Sequence, residues 1–271
     1  PSAPLPQGER DALRARRFNV ALGARLLLVW LLASAAADRT VPGNPLIDVA
    51  GGAFVFGSDD GAANEAPARR LELPAFRINK FEITNDQYDA MAAATGAPPA
   101  FYRGHPVLGA PDHPVVGVSY ADAEAFCAHY GLRLPSEAEW ERAARGADGR
   151  PYPWGAEPPT AARVNRGAAV CCAGDAEGGW PMTAPVGAHP AGASPEGVHD
   201  LIGNVWEWVD AWYNPYGTPP DAEERQFRVL RGGAWNSDDM RLRATYRMAY
   251  RPDFVVAANG GFRCVAAAPE S

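Results

Sequence analysis

The chain has 271 residues, with 25 Lys+Arg against 32 Asp+Glu and a formal charge of −7, a balance that argues against a nucleic-acid-binding surface. Apolar residues make up 47% and charged residues 21%, with 28 Gly and 26 Pro, which excludes intrinsic disorder and collagen-like repetition and predicts a buried core joined by many shaped loops. Four Cys, at 127, 171, 172 and 264, are too few for a disulfide-dense scaffold and are not spaced as paired CxxC zinc ligands.

The first segment reads as an address. Arg10, Arg14, Arg16 and Arg17 precede an apolar run from Leu26 to Ala37, which closes on small residues before Asp38. Basic, apolar and small-residue regions in that order predict a secretory signal peptide over residues 1–37. A spanning helix needs roughly 20 apolar residues, and Arg25 interrupts the run, so membrane association is expected only if the segment stays uncleaved. Arg16-Arg17 admits twin-arginine export. Removing residues 1–37 removes five Arg, Glu9 and Asp11, leaving 20 basic and 30 acidic residues, net −10.

From residue 40 to 271 the pattern predicts one domain without internal repeats. Short β-like runs fall at Ala53–Phe56, Arg69–Leu73 and Arg77–Ile83. A helix is predicted over Asn85–Thr95, capped by Thr84 and stopped at Gly96. Ser119 caps a second from Tyr120 to Tyr130, with Ala123, Phe126, Cys127 and Tyr130 on one face and Gly131 as the left-handed stop. Ser136-Glu137-Ala138-Glu139 is a capping box for a third helix that carries Trp140 and ends before Gly146. The stretch from Gly146 to Asp200 is rich in Gly, Pro and Ala and reads as loop, and further β-like runs follow at Phe227–Leu230 and Gly261–Val265.

The densest motif is Asp200-Leu201-Ile202-Gly203-Asn204-Val205-Trp206-Glu207-Trp208-Val209. With Arg133–Glu141, Tyr152-Pro153-Trp154-Gly155, Thr183–Val186, Arg231-Gly232-Gly233-Ala234-Trp235 and Gly260-Gly261-Phe262-Arg263-Cys264, it resembles the formylglycine-generating enzymes, also called sulfatase-modifying factors, over about residues 48–266. The resemblance implies an irregular, loop-rich α+β fold related to the C-type lectins.

Asp200, Gly203, Val205 and Glu207 match the family positions that ligate structural Ca²⁺, two through carboxylates and two through carbonyls. Hard cations take six to eight oxygens, and a Gly-containing turn can supply several. Spacing alone admits another arrangement, in which Asp200 caps a turn and Glu207 pairs with an Arg. A second family calcium site falls on Asn165, the Arg166 carbonyl, an acidic residue and the Trp180 carbonyl, but Gly178 stands at the acidic position, with Asp175 and Glu177 nearby. Cys127 and Cys264 match a disulfide of some exported family members. A second family disulfide aligns with Ala144 and Ala244, so both partners are absent together. Cys171-Cys172 has no counterpart, and free or oxidised surface thiols, a strained redox disulfide or a metal-thiolate site all stay open for it.

Family members that generate formylglycine hold copper(I) on two Cys after this Arg-Gly-Gly block, and copper(I) selects soft sulfur. The stretch Arg231–Arg243 contains no Cys, Asp239 lies near the second copper position and Ala234 replaces the family Ser, so copper-dependent chemistry is not expected. The iron-dependent sulfoxide synthases of the family need His ligands, and the five His here, at 105, 113, 129, 189 and 199, do not form their set. Two readings remain. In the first, the chain is a calcium-stabilised accessory or binding protein of the periplasm or extracellular space. It recognises a peptide, protein or small molecule through the segment from Trp235 to Arg251, with Trp235 and Asn236 as binding residues. In the second, it resembles the pyoverdine-tailoring oxidase of the family and places Asp238, Asp239, Arg243 and Tyr246 in an acid-base cleft.

Overall fold

Three short sheets and three helices hold a chain that is mostly loop. The computed structural model describes residues 40–166, 180–216, 225–255 and 257–269. The segment 1–37, expected to direct export, and Cys171, Cys172, Asp175, Glu177 and Gly178 lie outside them. Described residues from Thr40 onward form one compact unit, and no helix among them is long and apolar enough to cross a membrane.

Strand β1 (Leu46–Val49) pairs antiparallel with β4 (Phe76–Asn79), whose other edge takes β9 (Val265–Ala267). The end of the domain thereby closes against its beginning. Strands β2 (Gly52–Phe56) and β3 (Arg69–Leu73) form a separate hairpin. A third sheet has the order β7 (Met248–Tyr250), β6 (Arg228–Arg231), β5 (Trp206–Trp212) and β8 (Gly260–Gly261). The neighbours β7–β6 and β6–β5 run antiparallel, and β5–β8 run parallel.

All three helices follow their capping chemistry. Helix α1 (Asn85–Thr95) starts at Thr84, whose hydroxyl accepts from the Gln87 amide, and stops at Gly96 in the left-handed region. Helix α2 (Tyr120–His129) has Ser119 and Asp122 as a reciprocal cap, and Gly131 supplies the left-handed backbone that follows. Helix α3 (Glu137–Arg145) carries the Ser136 and Glu139 box. The run expected over Arg77–Ile83 begins at Phe76 and ends at Asn79, after which the Lys80 amide donates to the Pro45 carbonyl beyond the paired register. The run expected over Gly261–Val265 divides into β8 and β9.

Two apolar clusters meet across the third sheet. Trp206 and Trp208 of β5 enter one, with Ile83, Tyr88, Phe126 and Phe262. Val209 enters the other, with Phe76, Ile78, Trp140 and Val229. Since strand side chains alternate between faces, β5 is buried on both, which no polar alternation in its sequence announces.

Cys127 and Cys264 are bonded, with Cα atoms 5.6 Å apart and 137 residues of separation, within the range that disulfides adopt. Both are fully buried beside Phe126 and Phe262. The bridge ties α2 to the segment leading into β9 and closes a long loop in the unfolded chain. Replacing both Cys by Ala is expected to cost about 2–5 kcal/mol, read from urea unfolding, and non-reducing peptide mapping of the parent protein should recover Cys127 and Cys264 in one cross-linked species.

Candidate functional site: a buried carboxylate cluster and an exposed cleft

The Asp200–Val205 turn is built on left-handed backbone. Asp200 and Asn204 both have φ 57° and Gly203 has φ 82°, conformations that Asp, Asn and Gly tolerate best. A Cβ on Gly203 would meet Val164 Cγ2 at 2.2 Å and the Asn165 carbonyl oxygen at 2.6 Å, so the turn packs directly on the 164–165 strand of chain. Asn204 fixes it from inside. Its Oδ1 accepts from Asn165 Nδ2 at 3.0 Å and the Ala184 amide at 2.9 Å, and its Nδ2 donates to Glu82 Oε2 at 2.6 Å.

Three buried carboxyl groups surround this turn: Glu82, Asp200 and Glu207. Glu82 also accepts from the Val205 amide at 3.2 Å, and Asp200 Oδ2 accepts from the Gly187 amide at 2.6 Å. Glu207 is held by the Arg263 guanidinium through both oxygens, at 2.7 and 2.8 Å, and by Trp140 Nε1 at 2.9 Å. Both features of the turn-and-ion-pair arrangement are thus present: an Asp200 that accepts a turn amide and a Glu207 paired with an Arg.

Charge is unevenly matched there. Burial, then the charges of Asp200 and Glu207, push Glu82 well above the ordinary carboxyl range. Burial likewise pushes Asp200 up to about 6, although the Gly187 amide and Arg263 hold it down. A carboxyl raised on folding adds stability that is complete at acid pH and is lost as pH rises through the folded value. Ionised Asp200 is therefore a cost at neutral pH, which a nearby cation would offset.

The donor set fits a hard cation in part. Among the described residues no three His, Cys, Asp or Glu side chains are grouped to hold a metal, so oxygens of carbonyls and amides have to contribute. Asn165 Oδ1 is buried without a donor, the condition of an oxygen that a cation can satisfy. Asp200 turns one carboxylate oxygen to Gly187 and leaves the other free of that amide. Glu207 does not fit, because Arg263 and Trp140 occupy its carboxylate. Of the second set, Asn165 adjoins the same turn, Arg166 extends outward to Asp239, and Trp180 packs its ring edge against His113.

The residues expected to form an acid-base cleft each have partners of their own, although Asp239 and Arg243 both lie near enough to act on Tyr152. Asp238 is 48% exposed and pairs with Arg241, while Asp239 is 71% exposed and pairs with Arg166. Surface carboxylates beside Arg neighbours find water and guanidinium together, and such pairs contribute little. Arg243 reaches Ser58 Oγ at 3.5 Å and Glu65 Oε2 at 3.6 Å. Tyr246 packs its ring against Trp206. Trp235 donates from Nε1 to the Ala258 carbonyl, and Asn236 Oδ1 accepts from Asn259 Nδ2, so both tie the turn after β6 to the segment before β8.

Comparison with known proteins decides the lineage of this site. The sulfatase-modifying factor enzyme 1-like domain matches residues 33–268. The chain belongs to this family. It is 34% identical to the inactive C-alpha-formylglycine-generating enzyme 2 of Mus musculus, over 90% of this chain and 92% of that protein. It is 35% identical to hercynine oxygenase of Mycobacterium tuberculosis, over 68% of this chain, and spans about half (51%) of that relative. Among solved structures it resembles PvdO from Pseudomonas aeruginosa, with TM-score 0.69, 26% identity and coverage of 82% of this chain and 94% of that one. The sulfatase-modifying-factor fold is therefore the irregular, lectin-related α+β architecture described above, and both oxygenase-like and inactive relatives share it.

Sequence motifs located Asp200, Gly203, Val205 and Glu207 within this centre but missed Glu82, whose signal was a lone carboxylate in the apolar stretch before α1. Removing the buried cation of this cluster separates burial from exposure. Arg263→Met, which strands Glu207 and its neighbours, is expected to cost about 3–5 kcal/mol in urea unfolding, whereas Asp239→Asn should change stability by less than about 0.5 kcal/mol.

Proposed function

We propose that this member of the sulfatase-modifying factor family is an exported, calcium-stabilised accessory or ligand-binding protein that does not generate formylglycine. One observation carries the reading: the Arg231–Arg243 stretch, where the copper-dependent enzymes place two Cys, presents the exposed Asp238–Arg241 and Asp239–Arg166 pairs. Carboxylates in water are poor partners for copper(I). A relative described as inactive, matched over nearly its whole length, supports the same conclusion. The likeness to hercynine oxygenase and PvdO supports a second reading, a non-copper tailoring oxidase, but the exposed pairing of Asp238 with Arg241 and of Asp239 with Arg166 favours binding.

Calcium enters this proposal through charge. Glu82, Asp200 and Glu207 face the single buried guanidinium of Arg263, and a divalent cation on Asp200, the Gly203 and Val205 carbonyls and the Asn165 amide oxygen would balance the excess. Its contribution would be structural, holding the turn that carries β5. The Cys127–Cys264 bridge supports export, since disulfides persist in oxidising compartments, and the segment 1–37 supplies a route. A peptide, protein or small molecule of that compartment is the proposed ligand.

Two measurements test the reading. Incubated with copper, O₂ and a Cys-Thr-Pro-Ser-Arg peptide, the protein should yield no aldehyde by mass spectrometry, and aldehyde would overturn it. Chelation with EDTA should lower Tm by about 5–10 °C, as for loss of a ligand held at about a hundred times its Kd. Calcium should restore the Tm, and Asp200→Asn should blunt the response. An unchanged Tm on chelation removes the calcium.

A further inference from the structure

The sheet edge farthest from the carboxylate cluster carries a feature that neither the turn nor the cleft uses. A groove of about 310 Å³ lies there, lined by Phe227, Ala249, Tyr250, Arg251 and Phe254. Phe227 is 40% and Phe254 39% exposed, while the floor is anchored: Tyr250 packs its ring edge on Trp208 at 6.2 Å and on Phe254 at 5.2 Å. Exposed aromatics clustered on a rigid floor mark recognition surfaces more often than scattered ones do.

We infer that this groove and strand β7 together bind an extended peptide segment, which places one aromatic side chain in the groove and a neighbouring carboxylate on Arg251. The inference rests on the binding reading above and gives its ligand a class. Three features favour a peptide over a free small molecule. Among the described residues strand β7 is the last strand of its sheet and pairs with β6 alone, so its outer edge is a template for one more strand. At about 310 Å³ the groove sits at the bottom of the range for small-molecule pockets, room for one large side chain, with the remaining binding energy left to backbone pairing along the edge.

Charge supplies the third feature. Arg251 is the one charged residue lining the groove, and among the described residues its side-chain partner is Asp253 in an exposed pair. Exposed pairs contribute little, so a peptide carboxylate can replace Asp253 at small cost, and a guanidinium presents two parallel donors to it. A segment with an acidic residue next to an aromatic one complements both parts of the surface.

The test titrates the ¹⁵N-labelled full domain with two acetylated, amidated pentapeptides, Ser-Asp-Trp-Val-Thr and Ser-Asp-Ala-Val-Thr, and with indole-3-propionate. The Trp peptide is expected to shift the Ala249, Tyr250 and Arg251 amides and to bind at least tenfold more tightly than the Ala peptide. Phe227→Ser with Phe254→Ser should abolish that binding while amide resonances distant from the groove keep the folded pattern. Arg251→Gln should weaken the Trp peptide severalfold but leave a Ser-Ser-Trp-Val-Thr peptide unaffected. Absence of shifts along β7 with either peptide would overturn the inference, as would indole-3-propionate saturating the groove as tightly as the Trp peptide. Aldehyde formation in the copper assay would sink the accessory reading alone, since the groove titration does not depend on it.

Discussion

Arg263 is the point on which the fold converges. Its guanidinium is fully buried and commits every donor: two bonds to Glu207 and one each to the carbonyls of Asn79, Lys80 and His199. Through Glu207 it holds β5, through Asn79 the end of β4, and through His199 the entry to the Asp200 turn. Glu207 in turn accepts from Trp140 of α3. A charge taken out of water is tolerable only when it is matched this completely, so each of these elements has to be in place for the others to be. The neighbouring Cys264 adds a covalent tie to α2.

A second buried network repeats the arrangement on the other side of Trp140. Arg231 of β6 lies between Glu137 and Glu141 of α3, and Glu137 also receives Arg247 while Glu141 receives Arg145. Here three Arg surround two carboxylates, whereas around Asp200 three carboxyl groups face one Arg. The contrast in sign is the physical basis for proposing a cation at the turn and not at α3.

Much of this architecture was legible before any coordinate. The three helices announced themselves through caps: Thr84 with Gln87, Ser119 with Asp122, Ser136 with Glu139. These are local bonds between residues three apart, and local chemistry is visible in sequence. Strand β5 was not, because its two faces meet two different cores and a Glu sits where an apolar residue would complete the pattern. Strands β1 and β7 also escaped notice, being three or four residues long. At the site, the motif located the Asp200 turn, but the partner of Glu207 is 56 residues away and only folding brings it there. Asp238 and Asp239 were expected in a cleft with Arg243 and Tyr246 by resemblance, and the sequence did not show that they pair with Arg241 and Arg166.

Strand β9 closes the sheet that β1 and β4 begin, and Arg263 and Cys264 immediately precede it. The contacts that complete the domain are therefore among its most non-local, and they are supplied by its last few residues. Chains with such topology fold slowly, because loop closure must precede any reward from contact. During synthesis strands β1 and β4 emerge long before Arg263 and β9, the segment that locks them, so the sheet stays open until that segment is available. A chain shortened just before Arg263 would lose the hub, the cross-link and the closing strand in a single step, which makes the C-terminal end, and not the larger body before it, the determinant of whether a domain exists at all.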